Sequence, residues 1–156
     1  NIIDHIMDKD NWSYPKTSCG VIEWVKVEGM KFKAKLDTGN STGGISIHAT
    51  DIKEKGNKVS FKINDNIFVK KIEDQKFIDS GGNNVEKRYF VKLNMSLGNS
   101  KPKPVMFNLD DRSENVYPVL IDKGYMVNNN LVIDSSKKFT LGEQHKRVDT
   151  FREMYI

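Results

Sequence analysis

The chain has 156 residues, of which 37% are apolar and 10% aromatic, so it can bury the core of one globular domain. Its 25 basic and 21 acidic residues give a modest net charge of +4, and its lysines are scattered along the chain rather than clustered as in a nucleic-acid-binding stripe. A single cysteine, Cys19, excludes an internal disulfide and a cysteine zinc cluster. The apolar runs are short, so the sequence predicts no membrane-spanning segment.

Residues 1–19 are predicted to form an N-terminal extension to the domain. They mix acidic with apolar residues and lack the charged-then-apolar pattern of a signal peptide. We therefore expect a cytoplasmic protein, or one enclosed in a viral particle. Whether the extension is a cleaved propeptide is left open.

The first predicted hairpin joins two strands. Residues 21–27 are rich in β-branched and aromatic side chains, and Glu28-Gly29 is typical of a tight turn. Residues 30–36 then alternate apolar side chains with lysines, as a strand with one buried face requires. Lysines on the solvent face of a sheet also block pairing at its edges.

The remainder of the chain reads as short strands separated by turns. A second hairpin is predicted with strands 59–63 and 67–69 around the turn Asn64-Asp65-Asn66, and Gly81-Gly82-Asn83-Asn84 is the strongest break in the pattern. Cys19 is expected to be half-buried. The other predicted strands are Ile45–Ala49, Arg88–Leu97, Val105–Leu109, Val116–Ile121 and Leu131–Ile133.

Two segments have helical character: 123–129 and the tail from Gln144 to Tyr155. In the tail, Val148, Phe151 and Tyr155 have the spacing of one helix face, which is typical of a docking surface. The frequent turn signals predict an all-β domain, a small barrel or sandwich, over residues 20–141, followed by a helical tail over 142–156.

The second strand ends on Asp37, which Thr38 and Gly39 follow. A carboxylate carried by a strand with a buried face is costly unless something uses or satisfies it. The triplet is either an ordinary Asx turn or a catalytic carboxylate. Its position at the end of a strand, rather than in a polar loop, favours the catalytic interpretation.

The triplet Asp37-Thr38-Gly39 after an alternating strand resembles the catalytic motif of aspartic peptidases, and its single copy resembles one retropepsin half. Residues 20–49 are similar to the opening of the bacterial retropepsin-like family often labelled "ATP-dependent zinc protease", which is associated with the enzyme that adds glutamates to a ribosomal protein. The segments GNKVSFKI, EKRYFVKLNMSLG and FNLDDRSENVYPVLIDKGYMVNNNLVIDSSKKF match in order. The resemblance covers about residues 20–141 and implies a small closed retropepsin-like barrel.

The resemblance implies a homodimeric aspartic peptidase. Such an enzyme needs two carboxylates that share one proton. Because the chain has one such triplet, Asp37 of each subunit would lie at the two-fold axis. Thr38 would form a hydrogen bond across that axis, and Gly39 would let the backbone turn closely. The implied substrate is a peptide or a glutamylated protein, cleaved at peptide or glutamyl amide bonds.

The sequence supports neither zinc nor ATP, so we expect no cofactor. His5, His48 and His145 lie far apart, and no His-Glu-x-x-His is present. No Gly-rich loop ends in Gly-Lys-Ser or Gly-Lys-Thr. His48 is interpreted as an ordinary strand residue.

Two segments depart from the family pattern. Gly43 and Gly44 soften what is expected to be a rigid strand start. After the late strand that packs behind the catalytic loop, Asp122-Lys123 replaces a Gly-Arg pair, and Lys keeps the charge of Arg without its planar fork. An additional aspartate there is also expected to perturb the dyad. The chain is therefore predicted to be a divergent member, from a virus or from a compositionally biased genome.

Arg88 and Arg112 match family arginines and are candidate substrate-binding residues. Arginine clamps a carboxylate with two parallel hydrogen bonds, which suits an acidic substrate. The alternative is structural. Arg88 would then pair with Glu86 or an internal carboxylate, and Arg112 with Asp110 or Asp111.

Two segments compete for the role of the flap that covers the substrate. The turn Asn64-Asp65-Asn66 falls about twenty residues after Asp37, which is the offset expected of a retropepsin flap, and its residues are candidate substrate contacts. The Gly81–Asn84 loop is the alternative and is expected to be more mobile.

Two further function classes remain open. One is a catalytically silent barrel that binds a peptide or assembles a particle. The other is a small-barrel nucleic-acid binder that uses aromatic platforms between lysines. Phe32 and Phe61 are predicted to point away from their flanking lysines, which favours a core role and disfavours nucleic acid as a partner.

Overall fold

The computed structural model describes residues 16–40, 44–79, 82, 85–111 and 116–142. Among these residues, the single helix is α1 (Lys123–Asn128), and no helix has the length and apolarity needed to cross a membrane. The strands are β1 (Thr17–Cys19), β2 (Ile22–Val27), β3 (Met30–Leu36), β4 (Ile45–His48), β5 (Thr50–Lys55), β6 (Lys58–Ile63), β7 (Asn66–Lys71), β8 (Asp74–Asp79), β9 (Val85–Leu97), β10 (Lys103–Asp110), β11 (Val119–Ile121) and β12 (Leu131–Ile133).

Six strands close into a barrel, which confirms the predicted small closed all-β fold. Their order is β10-β4-β11-β3-β2-β9, and pairing of β9 with β10 closes the ring. The short strand β11 lies between β3, to which it is parallel, and β4, to which it is antiparallel. Ile121 stands opposite Leu36, so β3 and β11 end side by side.

The barrel core follows from the alternation in each strand. Phe32, Ala34 and Leu36 of β3 are buried, while the lysines between them are exposed. Burying an aliphatic or aromatic side chain stabilises the fold by about 1.5–3 kcal/mol. Phe61 is fully buried as well, and the predicted core role of Phe32 and Phe61 is confirmed.

A second, three-stranded sheet has the order β5-β6-β7. The predicted hairpin is β6–β7, in which Ile63 pairs with Asn66 across a two-residue turn. Asn64 has a φ of 54° in this turn, a left-handed conformation that asparagine tolerates. Phe61 and Phe68 stack on the inner face of this sheet with ring centroids 5.8 Å apart.

The ends of the described chain meet on one small sheet. β1 pairs in parallel with β12, so the end of the predicted extension contributes a strand. α1 confirms the predicted helix near 123–129, whereas residues 1–15 and the predicted tail helix lie outside the described residues. Cys19 is fully buried, more than expected. Burial and the nearby Glu23 carboxylate raise the pKa of its thiol to about 12.

Glu23 is a fully buried carboxylate on β2. It accepts hydrogen bonds from the backbone N–H of Gly20 at 2.6 Å and of Leu141 at 3.0 Å. Thr140 donates two more, from its N–H at 3.0 Å and from its hydroxyl at 2.8 Å. Because these donors satisfy the buried charge, Glu23 fastens residues 140–141 to the barrel.

We predict that Glu23→Gln lowers the free energy of unfolding by about 2–4 kcal/mol, because the amide NH₂ would face donors and leave buried groups unpaired. Urea unfolding followed by tryptophan fluorescence measures the change. Glu73→Gln, at an exposed position, is the matched control and should leave the midpoint unchanged. Equal midpoints for both variants would contradict the fastening role of Glu23.

Candidate active site

The loop that contains Asp37 is fastened to the end of β11 on both sides of the triplet. The N–H of Asp37 donates to the carbonyl of Ile121 at 2.9 Å. Beyond the triplet, the N–H of Lys123 donates to the carbonyl of Asn40 at 2.8 Å. The backbone therefore holds the loop against the connection from β11 to α1.

Within the loop, the Asp37 carboxylate is oriented by its own turn. Its Oδ1 accepts a hydrogen bond from the N–H of Gly39 at 3.0 Å. A Cβ at Gly39 would lie 3.3 Å from Oδ1, a tight contact, so glycine permits this approach. Asp37 is half-buried, whereas Thr38 and Gly39 are exposed in the single chain. The turn leaves the carboxylate accessible at the surface.

Asp122, the unexpected aspartate behind this loop, caps α1. It is buried, and its Oδ1 accepts from the N–H of Tyr125 at 3.3 Å. A Cβ at Gly124 would lie 3.0 Å from Asp122 Oδ2, so glycine keeps room for the carboxylate. The hydrogen bond directs this carboxylate toward the helix, which gives it a structural use. Lys123 is exposed, and its contact with the loop is made by the backbone, which any residue except proline provides.

Gly44 begins the exit from the loop in a conformation that requires glycine. Its φ is 68°, and a Cβ there would lie 3.8 Å from Phe90 and 3.9 Å from Asn108. The hydroxyl of Ser46 donates to Oδ1 of buried Asn108 at 2.8 Å. This hydrogen bond was not predicted from the sequence. The signal for it was Asn108 itself, a polar residue between the apolar Phe107 and Leu109, which indicates a buried polar contact. Gly43, the other glycine at the expected strand start, lies outside the described residues.

Arg88 is paired with carboxylates of its own chain, as the structural alternative predicted. Its Nη2 lies 3.3 Å from Asp110 Oδ1 and 3.8 Å from Glu86 Oε2. Its Nε is buried and lacks a hydrogen-bond partner in the described part of the chain. Arg112 lies outside the described residues. His48 ends β4, with Nδ1 3.6 Å from Asp111 Oδ1.

The structure does not bring the Asn64-Asp65-Asn66 turn to Asp37 of the same chain. Asn66 Nδ2 lies 3.2 Å from the sulfur of Met30, at the start of β3. Asp37 follows the other end of that strand, about 20 Å away at 3.3 Å per residue. The β8–β9 hairpin instead contacts the loop exit through Phe90 and Gly44. Apart from Gly82, its Gly81–Asn84 tip lies outside the described residues, so its role as a cover stays a prediction.

In the described part of the chain, Asp37 belongs neither to a metal centre nor to the groove between the β9–β10 turn and α1. Across the described residues, no group of three or more His, Cys, Asp or Glu side chains is placed to hold a metal ion. A groove of about 570 Å³ lies between the β9–β10 turn and α1, but Asp37 is not among its lining residues.

A closed barrel with an Asp-Thr-Gly loop fastened behind by a parallel strand is the architecture of a retropepsin-like protein. The chain belongs to the RimB-like family, described as retropepsin-like aspartic endopeptidase RimB, which matches residues 18–144. This confirms the resemblance found in the sequence.

A solved structure from Legionella pneumophila, titled as a protein of unknown function (DUF785), is similar to the chain. The two share 26% identity with a TM-score of 0.67, over 81% of this chain and 98% of the other. No protein of curated function matches the chain in sequence.

We predict that Asp122→Ala lowers the free energy of unfolding by about 1 kcal/mol, because α1 loses its N-terminal cap. Asp122→Asn retains a cap acceptor and should lie close to the wild type. Chemical unfolding of the three proteins measures the difference. If alanine and asparagine are equally destabilising, the carboxylate has another role than the cap.

Proposed function

We propose that the protein is an aspartic peptidase of the single-domain retropepsin type. It would hydrolyse peptide or glutamyl amide bonds with two Asp37 carboxylates, one from each subunit of a homodimer. The observation that supports this most directly is the Asp37 loop: a carboxylate oriented by Gly39, braced by Ile121 and accessible at the protein surface.

The dimer supplies what one chain lacks. A lone carboxylate cannot serve at once as general base and general acid. Thr38 and Gly39 are exposed, which leaves the loop a surface that a second copy related by a two-fold axis would cover. At that axis two carboxylates at hydrogen-bonding distance share one proton, because both cannot ionise there.

The reaction then follows from the shared proton. The ionised carboxylate removes a proton from water, and the water oxygen bonds to the carbonyl carbon of the substrate. The protonated carboxylate donates its proton to the carbonyl oxygen, which gives a tetrahedral intermediate. Proton transfer to the amide nitrogen and cleavage of the C–N bond release an acid and an amine, with water as the only co-reactant.

Of the two candidate substrate-binding arginines, Arg88 is the one that the structure describes. Its ion pairs favour a structural role over the recognition of an acidic substrate side chain. A substrate carboxylate would compete with Asp110, which lies 3.3 Å from the guanidinium. The ion pair joins β9 to β10 close to the loop exit. The proposed chemistry does not depend on a substrate contact by Arg88.

We predict that Asp37→Asn abolishes hydrolysis while the fold remains, because the amide can neither accept the proton from water nor share one with its twin. Cleavage is assayed at several pH values between about pH 4 and pH 7, on peptides that end in glutamates and on a mixed peptide library. Asp51→Asn, an exposed change on β5, is the control. Wild-type turnover by Asp37→Asn on any substrate would refute the aspartic mechanism.

Mixing experiments test whether both subunits contribute an aspartate. An excess of inactive Asp37→Asn chain, added to a fixed amount of wild type and allowed to exchange, should suppress activity as mixed dimers form. If activity instead stays constant as the mutant chain is added, the aspartate of one chain is sufficient for hydrolysis. Analytical ultracentrifugation of the same mixtures establishes that dimers are present.

A further inference from the structure

The outer face of the three-stranded sheet carries a concentration of lysines, here named the lysine face. Its middle strand is β6, where Lys58 stands directly opposite Lys55 of β5 and Lys71 of β7. These three side chains form a row across all three strands. The lysine face consists of Lys53, Lys55, Lys58, Lys62 and Lys71, and all but the half-exposed Lys62 are exposed.

This row is electrostatically unfavourable within the chain. Directly opposite residues in antiparallel strands have Cβ atoms about 5 Å apart, and like charges at that separation destabilise the pairing. Lys62 has an ion pair with Asp51 at 3.2 Å, whereas no ion pair with a described residue involves Lys55, Lys58 or Lys71. The barrel lysines differ, since Lys31 lies 4.3 Å from the Trp24 ring centroid.

Two exposed aliphatic residues lie on the same face as the lysine row. Val69 pairs with Ser60 and Ile67 with Lys62, so both side chains share the face of β6 that carries the lysines. Ile67 is 67% exposed and Val69 55%. An apolar pair rimmed by charge on a sheet face is typical of an interaction surface.

We propose that the lysine face binds an acidic segment of a partner protein. Carboxylates of the segment would neutralise the Lys55–Lys58–Lys71 row, and apolar side chains would cover Ile67 and Val69. A protein partner fits better than a nucleic acid, because this face has no arginine and no aromatic side chain on which a base could stack. The exposed aliphatic side chains of Ile67 and Val69 would also gain nothing from contact with the phosphates of a nucleic acid.

Binding is tested in full-length protein carrying Asp37→Asn, so that no probe is cleaved and the result does not depend on peptidase activity. The probe is a short fluorescent peptide in which glutamates surround two leucines, titrated at low salt by anisotropy. The row variant is Lys55→Gln/Lys58→Gln/Lys71→Gln. The matched control, Lys26→Gln/Lys92→Gln/Lys101→Gln, removes the same charge from exposed positions elsewhere.

We expect the row variant to bind at least about tenfold more weakly, while the control variant loses far less. Ile67→Thr/Val69→Thr should also weaken binding, as should replacing the leucines of the peptide by serine. The melting temperature of the row variant should be unchanged or higher, because repulsion is removed.

Three outcomes would overturn the proposal: no binding of the peptide, equal losses for the row and control variants, or a lower melting temperature in the row variant with binding intact. Tighter, row-dependent binding of single-stranded RNA than of the acidic peptide would also overturn it, in favour of a nucleic-acid surface.

Discussion

The parallel pairing of β11 with β3 is the constraint on which the site depends. It places the end of one strand beside the end of the other, so that Asp37 and Ile121 share a backbone hydrogen bond. β11 is only three residues long, and it is held because β4 pairs with its other edge. Loss of this strand would remove both backbone hydrogen bonds to the loop, because Ile121 is its last residue and Lys123, which donates to Asn40, lies two residues later.

Glu23, Asp122 and Asp37 differ in their burial and in the hydrogen bonds that they accept. Glu23 and Asp122 are buried, and each accepts hydrogen bonding from the backbone: three N–H groups reach Glu23 and one reaches Asp122. Asp37 is half-buried and receives one hydrogen bond from its own turn. A buried carboxylate that accepts hydrogen bonds from the backbone is costly to move. Of the three, Asp37 is therefore the one that a molecule outside the chain can reach.

Strands with apolar alternation were predictable, and strands held mainly by their neighbours were not. β3 has the predicted bounds because its apolar residues alternate with lysines, and β12 has them because it is a short run of apolar, mostly β-branched residues. β5 (Thr50–Lys55) and β8 (Asp74–Asp79) were missed, since polar residues dominate both and pairing with β6 and β9 provides their hydrogen bonds. The Asp37 triplet is visible in the sequence. The Ser46–Asn108 bond spans 62 positions and depends on the register of β4 with β10, which no local pattern specifies.

The distance between the β6–β7 turn and Asp37 of the same chain has the same origin. An offset of about twenty residues measures distance along the sequence. Distance in space does not follow from it, because each turn between antiparallel strands reverses the direction of the chain. After β4 the chain enters a separate sheet whose β6–β7 turn lies near Met30, and it returns to the loop exit only at Phe90 of β9. Within one chain, the β6–β7 turn therefore lies away from Asp37. The outer face of the inserted sheet carries the row of Lys55, Lys58 and Lys71, which no ion pair with a described residue neutralises, and the proposed acidic partner would meet this face rather than the Asp37 loop.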